Sequence, residues 1–200
     1  MTVLDHLLYA LLWLSFGAGH SLLAGAGGRR WLAPWVGRWH RLTYNVVATL
    51  HLALVFLLGR FVLADGATAF DRPLALTLVQ LAMLALACWL FWAGGRRYDL
   101  GRFVGTVPEP AAAPPEPLVT DGLHGRIRHP LYAGAYLLLW GVVHDPFSLA
   151  TAIWGSLYLF IGTAFEERRL RRVYGAAYDD YRRRVPSLVP RLRRDHDPVS

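Results

Sequence analysis

The chain has 200 residues, of which 54% are apolar and 18% charged, with a formal net charge of +7. Soluble domains average about 45–50% apolar and about 25% charged residues, and the apolar residues here sit in long unbroken runs, which excludes an ordinary soluble domain. All 21 basic residues are arginine, clustered between those runs as membrane orientation requires, so nucleic acid is not the partner they point to. The single cysteine, Cys88, lies within an apolar run, leaving no disulfide framework and no thiolate metal site.

A hydrocarbon core about 30 Å thick takes roughly 20 residues of apolar helix. Val3–Ala24 supplies 22 and reads as the first span. Ala24-Gly25-Ala26 looks like a cleavage site, but Asp5 lies at the start of the run and Arg29-Arg30 follow it, the reverse of a signal peptide. The run is therefore retained. A first loop with Arg29, Arg30, Arg38 and Arg41 leads to the second span, Leu42–Ala64, and Leu74–Ala93 is the third. The next loop holds Arg96, Arg97, Arg102, Arg126 and Arg128, and Pro108–Pro117 within it reads as solvated and extended. Leu131–His144 has 14 residues, which reach about 21 Å, too little to cross alone. It reads as one arm of a hairpin with Phe147–Phe165, turning at Asp145-Pro146, because proline disfavours helix in the residue before it. After Phe165, the residues Leu170, Val173, Tyr174, Ala177, Tyr178 and Tyr181 recur at helical spacing. They predict a basic amphipathic helix ending before Pro186, lying on anionic lipid, capping a site, or both.

Nineteen of the 21 arginines then fall on one side, with only Arg60 and Arg72 opposite. The expected protein is an all-α integral membrane protein of about five transmembrane segments, the fourth and fifth forming a hairpin, with a cytosolic C-terminal amphipathic helix. Its N-terminus is outside, and its C-terminus and Arg-rich loops are cytoplasmic. Three parts are expected: residues 1–93 as a three-span half, 94–130 as a cytosolic loop, and 131–200 as the hairpin with its C-terminal helix.

Four polar features stand out, because polar groups near a bilayer are expensive to place and tend to be functional. Arg128-His129-Pro130-Leu131-Tyr132-Ala133-Gly134 opens the short arm. Proline suits the first helical turn, so Arg128 and His129 sit at a helix N-terminus that favours anions. Arg128 adds a fork for a carboxylate, and Tyr132 adds a face for a cation. The same residues would equally serve as an interfacial pair holding lipid headgroups. Glu166-Glu167 ends the last span, either binding an ammonium group or satisfying the dipole and arginines of the helix it begins. The two features are the mouths of one hairpin and so meet on one side of the membrane. The third feature is Gly17-Ala18-Gly19-His20-Ser21 with Arg41-Leu42-Thr43-Tyr44-Asn45. Small residues let helices approach, and His20 would reach a partner such as Asn45. His51 differs from His20 in depth, which argues against a shared haem. The fourth is Tyr98-Asp99-Leu100-Gly101-Arg102-Phe103-Val104-Gly105, whose glycines permit backbone close to a ligand. A ligand uniting these features carries a carboxylate, an ammonium and a sulfonium, as S-adenosylmethionine does.

Leu118-Val119-Thr120-x-Gly122, Arg128-His129-Pro130-x-Tyr132-x-Gly134, Glu166-Glu167-x-x-Leu170, Tyr174-Gly175-x-x-Tyr178-x-x-Tyr181 and Val185-Pro186, in that order, resemble the integral-membrane methyltransferase superfamily. It includes isoprenylcysteine carboxyl methyltransferases, phospholipid N-methyltransferases, methanethiol S-methyltransferases and NnrU-like membrane proteins. The resemblance implies an enzyme of a bacterial inner membrane that binds S-adenosylmethionine through Arg128, His129, Tyr132, Gly134, Glu166 and Glu167, with an acceptor entering from the bilayer. Gly19-His20-Ser21, Arg41-x-Thr43-Tyr44 and Tyr98-Asp99-Leu100 look like the methanethiol S-methyltransferase and NnrU-like branches. Isoprenylcysteine enzymes carry an arginine one turn before the Glu pair, where this chain has Gly162, and His124 stands where many relatives have tyrosine. The implied acceptor is a small thiol or another lipophilic molecule, near Ser21, Tyr44, Asn45 and Gly162, with His20, or His129 where the cofactor does not wholly engage it, taking the thiol proton. A non-catalytic NnrU-like assembly or transport factor is the alternative, and an isoprenylcysteine or phospholipid methyltransferase is the second. The oligomeric state is not legible.

Overall fold

A computed structural model describes residues 2–63, 68–107 and 117–190. The described residues are helices joined by short connections, with α1 at Val3–Ala24, α2 at Ala26–Val36, α3 at His40–Leu63 and α4 at Leu74–Gly95. Then follow α5 at Leu100–Val104, α6 at Pro130–Gly141, α7 at Pro146–Tyr174 and α8 at Ala176–Arg184. Four stretches are long and apolar enough to cross a membrane: α1, the α2–α3 run, α4 and α7. The protein is thus an integral membrane protein.

Local chemistry sets the helix ends. Thr2 and Asp5 form a reciprocal cap at the start of α1. Asp145 and Ser148 do the same for α7, with Pro146 in its first turn, so the hairpin turns at Asp145-Pro146 as its sequence dictates. Arg60 of α3 reaches across to Asp145 at 2.8 Å and fastens that turn to the bundle. The short arm, α6, has 12 residues, about 18 Å of helix, and does not cross alone. The connection after α1 is not an open loop: α2 fills it, and the chain turns at Gly37, whose φ is +53°.

The C-terminal helix also differs from its predicted course. α7 runs without a break through Phe165 to Tyr174, and the interruption comes at Gly175, with φ at +56°. Twenty-nine residues make about 43 Å of helix, so the last turns of α7, with Glu166 and Glu167, project beyond a hydrocarbon core. α8 then folds back. Tyr178 and Tyr181 are buried with Val185 against Leu118, Leu170 and Tyr174, so this face covers protein. Arg191, Arg193 and Arg194, and the Pro108–Pro117 stretch except Pro117, lie outside the described residues.

Two packing seams hold the helices. In one, Tyr9, Trp13 and Phe16 of α1 meet Val55 and Leu63 of α3 and Ala150 of α7. The Tyr9 hydroxyl lies 2.8 Å from Thr151 Oγ1, and a Cβ on Gly59 would sit 2.1 Å from the Tyr9 ring. In the other, α6 lies along α4 through Gly94, Gly134 and Gly141. Small residues allow this approach where hydrophobic driving force between lipid-facing helices is absent. Gln80 of α4 donates to the Val143 carbonyl at 2.5 Å, closing the Gly141 end of that seam.

Candidate active site

The site is built where α6 begins and α7 leaves the membrane. Arg128 precedes the first turn of α6, and its guanidinium is only 8% exposed. One terminal nitrogen pairs with Glu167, and the other donates to the carbonyls of Arg182 (3.2 Å) and Val185. Glu167 also receives Arg182 Nε at 3.0 Å and lies 3.3 Å from His129 Nε2. The backbone joins in: Arg128 N–H donates to Pro186 (2.9 Å) and His129 N–H to Ser187 (3.0 Å). Tyr181 donates to the His124 carbonyl at 2.6 Å. One carboxylate and one guanidinium thereby tie α6, α7, α8 and the segment after it into a single knot, and charge-assisted bonds of this kind are the strong ones.

The two acids are therefore unequal. Glu167 faces inward to Arg128, Arg182 and the His129 ring, whereas Glu166 forms a forked pair with the solvent-exposed Arg169 at 2.8 and 3.1 Å. The fork of Arg128, expected to grip a ligand carboxylate, grips protein here. Three buried polar atoms lack a hydrogen-bond partner among the described residues around the knot: Arg128 Nε, the Tyr178 hydroxyl and His124 Nδ1. Burial pushes His124 and His129 below the ordinary histidine range; Arg97 adds to the effect at His124, and Glu167 opposes it at His129.

On the membrane side of the knot, aromatic residues converge. The Tyr132 ring stands edge-on to His129 at 5.7 Å, with Glu166, Arg169, Tyr44 and Tyr98 within electrostatic reach of its hydroxyl. A Cβ on Gly162 would meet the Tyr132 ring at 3.7 Å, ordinary contact distance, so the ring lies close over the glycine with a gap of no more than a methyl group. The Tyr44 hydroxyl lies 3.1 Å from a ring nitrogen of His20. The partner of His20 is thus Tyr44, while Asn45 donates to the carbonyls of Phe103 (3.1 Å) and Val104 (2.8 Å) and holds α5. His51 pairs with Ser15 at 3.1 Å, and the Phe16 ring lies against both His20 and His51. Ser21 is exposed near the end of α1. Gly134 packs against Phe91 of α4. The glycine of the α5 segment that admits close backbone is Gly105, and what approaches it is the Arg41–Leu42 backbone.

Tyr158 escaped the sequence reading. It stands four residues before Gly162 and eight before Glu166, on the same face of α7, with its ring perpendicular to His20 at 6.0 Å. That spacing was its available signal. A cavity of about 690 Å³ is lined by Thr120, Gly125, Arg126, Tyr181, Val185 and Pro186. A smaller cleft of about 400 Å³ is lined by Arg128, Arg171, Asp179, Arg182 and Arg183.

Comparison with known proteins gives this arrangement a class. The chain is 30% identical to methanethiol S-methyltransferase 2 of Bradyrhizobium diazoefficiens, over 91% of its own length and 72% of the relative's. Methanethiol S-methyltransferase 1 of the same organism is 29% identical, over 90% of this chain and 65% of its own length. A protein-S-isoprenylcysteine O-methyltransferase of Schizosaccharomyces pombe is 33% identical over 36% of this chain and 33% of its own length. No family model and no solved structure matches the sequence. The helical membrane fold and these relatives define a membrane-embedded methyltransferase. Within that class, the chain belongs to the methanethiol S-methyltransferase family. Relatives named as transferases do not favour the non-catalytic alternative.

Proposed function

We propose that this protein transfers the methyl group of S-adenosylmethionine to a small thiol, methanethiol being the acceptor named in its relatives, at the cytosolic end of its helix bundle. The observation that carries this reading is the contact of Tyr132 with both sides of the hairpin mouth: its ring stands 5.7 Å from that of His129 in the charged knot and close over Gly162, one turn before Glu166. The arginine distribution supports an orientation with the N-terminus outside and this site in the cytoplasm of a bacterium.

The residues suit the donor by charge. Glu166, whose one partner is an exposed arginine, would take the ammonium. The arginines of the smaller cleft would take the carboxylate, and the Tyr132 face would lie beside the sulfonium. The larger cavity, roofed by Tyr181 and Val185, has the volume for the nucleoside, and the unpartnered atoms near the knot suit a polar ligand. When bound, S-adenosylmethionine supplies an electrophilic methyl carbon open to in-line displacement by a thiolate. The knot holds the start of α6 against α7 and so fixes Tyr132 and Gly162 in mutual register, which is the orientation such a displacement needs. A thiol with an ordinary pKa of about 8.5 is mostly protonated at neutral pH. His20 accepts that proton, and Tyr44 fixes its ring. Gly162 offers no cation, so an acceptor carboxylate would lie unpaired in a partly desolvated site.

A competition assay tests the reading: purified protein, labelled S-adenosylmethionine, methanethiol and a farnesylcysteine analogue. Label in dimethyl sulfide is expected. Label in the prenylcysteine ester, with none in the thioether, overturns it.

A further inference from the structure

α3 alone, with 24 residues, is long enough to cross a bilayer, so α2 is not needed for the crossing. The extended Gly25 and the left-handed Gly37 set it apart from both neighbouring spans. The His20–Tyr44 contact puts the end of α1 and the start of α3 at one level. α2 joins those two ends, so its eleven residues, about 16 Å of helix, run across that level and not through it. The residues of α2 that are not exposed are Gly28, Leu32 and Val36, each one turn from the next. A Cβ on Gly28 would lie 2.4 Å from the Leu22 carbonyl, so this line rests on the last turns of α1. Beside it stand Trp31 and Trp35, also one turn apart, 65% and 82% exposed.

The level itself is marked by three arginines that lie over aromatic rings: Arg38 over Trp39 at 5.2 Å, Arg96 over Trp92 at 4.7 Å and Arg168 over Phe165 at 5.7 Å. All three rings are exposed. The latter two stand at the end of the bundle that carries the charged knot, since Gly94 packs on Pro130 and Phe165 directly precedes the Glu pair. An exposed ring beneath a guanidinium suits the boundary between hydrocarbon and headgroups. The Arg38–Trp39 pair directly follows α2 and fixes α2 at that boundary.

We propose that α2 is an in-plane anchor that binds anionic phospholipid. Trp31 and Trp35 enter the edge of the acyl layer, and Arg29, Arg30 and Arg38 take the headgroup phosphates. Charge decides the occupant. Residues 26–39 hold three arginines and no acid, so a second copy of the same face would repel it, whereas an anionic surface strengthens attraction about fivefold for each basic residue held there. The face of α8, the other basic helix, covers protein, which leaves α2 as the element that lies on lipid.

The experiment places the full-length protein in phosphatidylcholine vesicles with a trace of photoactivatable phosphatidylglycerol or phosphatidylcholine, each reactive beside its headgroup, and maps the labelled peptides. In the parent, phosphatidylglycerol should label 26–41 at least about fivefold more than phosphatidylcholine does, and concentrated salt should lower that ratio. Arg29→Gln with Arg30→Gln should bring the ratio close to one, whereas Arg29→Lys with Arg30→Lys should keep most of it. Trp31→Ser with Trp35→Ser should reduce labelling by both lipids together. All four side chains are exposed, so the unfolding temperature in detergent should stay at the parent value in every variant, which separates a lost contact from a damaged fold. Equal labelling of 26–41 by the two lipids in the parent overturns the proposal, as does a preference that survives the glutamine pair. Crosslinking of 26–41 to a second copy of the chain, in place of lipid, also overturns it.

Discussion

Glu166 and Glu167 are neighbours in sequence with different work in the structure. Removing the charge of Glu167 leaves the buried Arg128 guanidinium without its counter-ion, a change that costs about 3–5 kcal/mol in a fully buried pair and less where, as here, Arg182 and Glu167 keep some solvent. Glu166→Gln breaks only an exposed pair with Arg169, and such pairs contribute about 0–1 kcal/mol. Glu167→Gln should therefore lower the unfolding temperature in detergent distinctly. Glu166→Gln should leave it nearly unchanged while weakening S-adenosylmethionine binding. Equal thermal shifts in the two variants would contradict this division. Arg128→Lys should resemble Glu167→Gln, because one ammonium cannot serve Glu167 and two separate carbonyls as the guanidinium does. Its signature is faster proteolysis after α8, with α1–α4 protected as before.

At the scale of elements, the η-turn at Gly122–Gly125 and the start of α6 depend on histidines kept neutral. Burial holds His124 and His129 below their ordinary value of 6.5. An unfolded segment would bind protons near pH 6.5 that the folded one refuses. Their contribution to stability is thus complete above that pH and is lost as the pH falls toward the lowered values. Hydrogen exchange in 122–129 and 176–187, corrected for intrinsic rates, should be faster at about pH 5.5 than at about pH 7.5. Equal protection at both would show that the histidines are not held neutral by the fold. Gly105 is the second element-scale test. Its φ is +92°, and a Cβ would lie 2.5 Å from Leu42 N, so Gly105→Ala should dislodge α5 from the start of α3 and expose Asn45. A variant with unchanged proteolysis of the 96–107 segment would refute that docking.

These elements also show what the sequence discloses. α1 and α4 are legible because runs of apolar residues with capping or proline boundaries leave one solution in a bilayer. The hairpin is legible because 14 residues cannot cross and Asp145-Pro146 must turn. The Arg-His-Pro segment and the Glu pair are legible as neighbours because they flank that hairpin. Which of their atoms touch is not legible. The division of labour between Glu166 and Glu167 depends on the rotation of α7, and the helix break on the conformation of Gly175. The choice of Tyr44 over Asn45 as the partner of His20 depends on the packing of α1 against α3. α2 is not legible because Gly27, Gly28 and Pro34, all poor helix formers, fall within its eleven residues.

For the whole molecule, Arg60, Asp145 and Gln80 fasten one end of the bundle and the charged knot the opposite end, and the arginine asymmetry predicts that the end with the knot faces the cytoplasm. Single cysteines placed at Thr2 and Ser187 in a Cys88→Ala background should react with an impermeant maleimide from opposite sides of sealed vesicles, Thr2 from outside. Labelling of both from one side would contradict the orientation. The placement of the methyl donor is tested most directly by ultraviolet crosslinking of labelled S-adenosylmethionine to the purified protein, followed by peptide mapping. Saturable label in peptides spanning 118–134 or 158–187, suppressed by excess S-adenosylhomocysteine, is the expected result. Label confined to α4, or no saturable label, would contradict a donor site at the mouth of the α6–α7 hairpin.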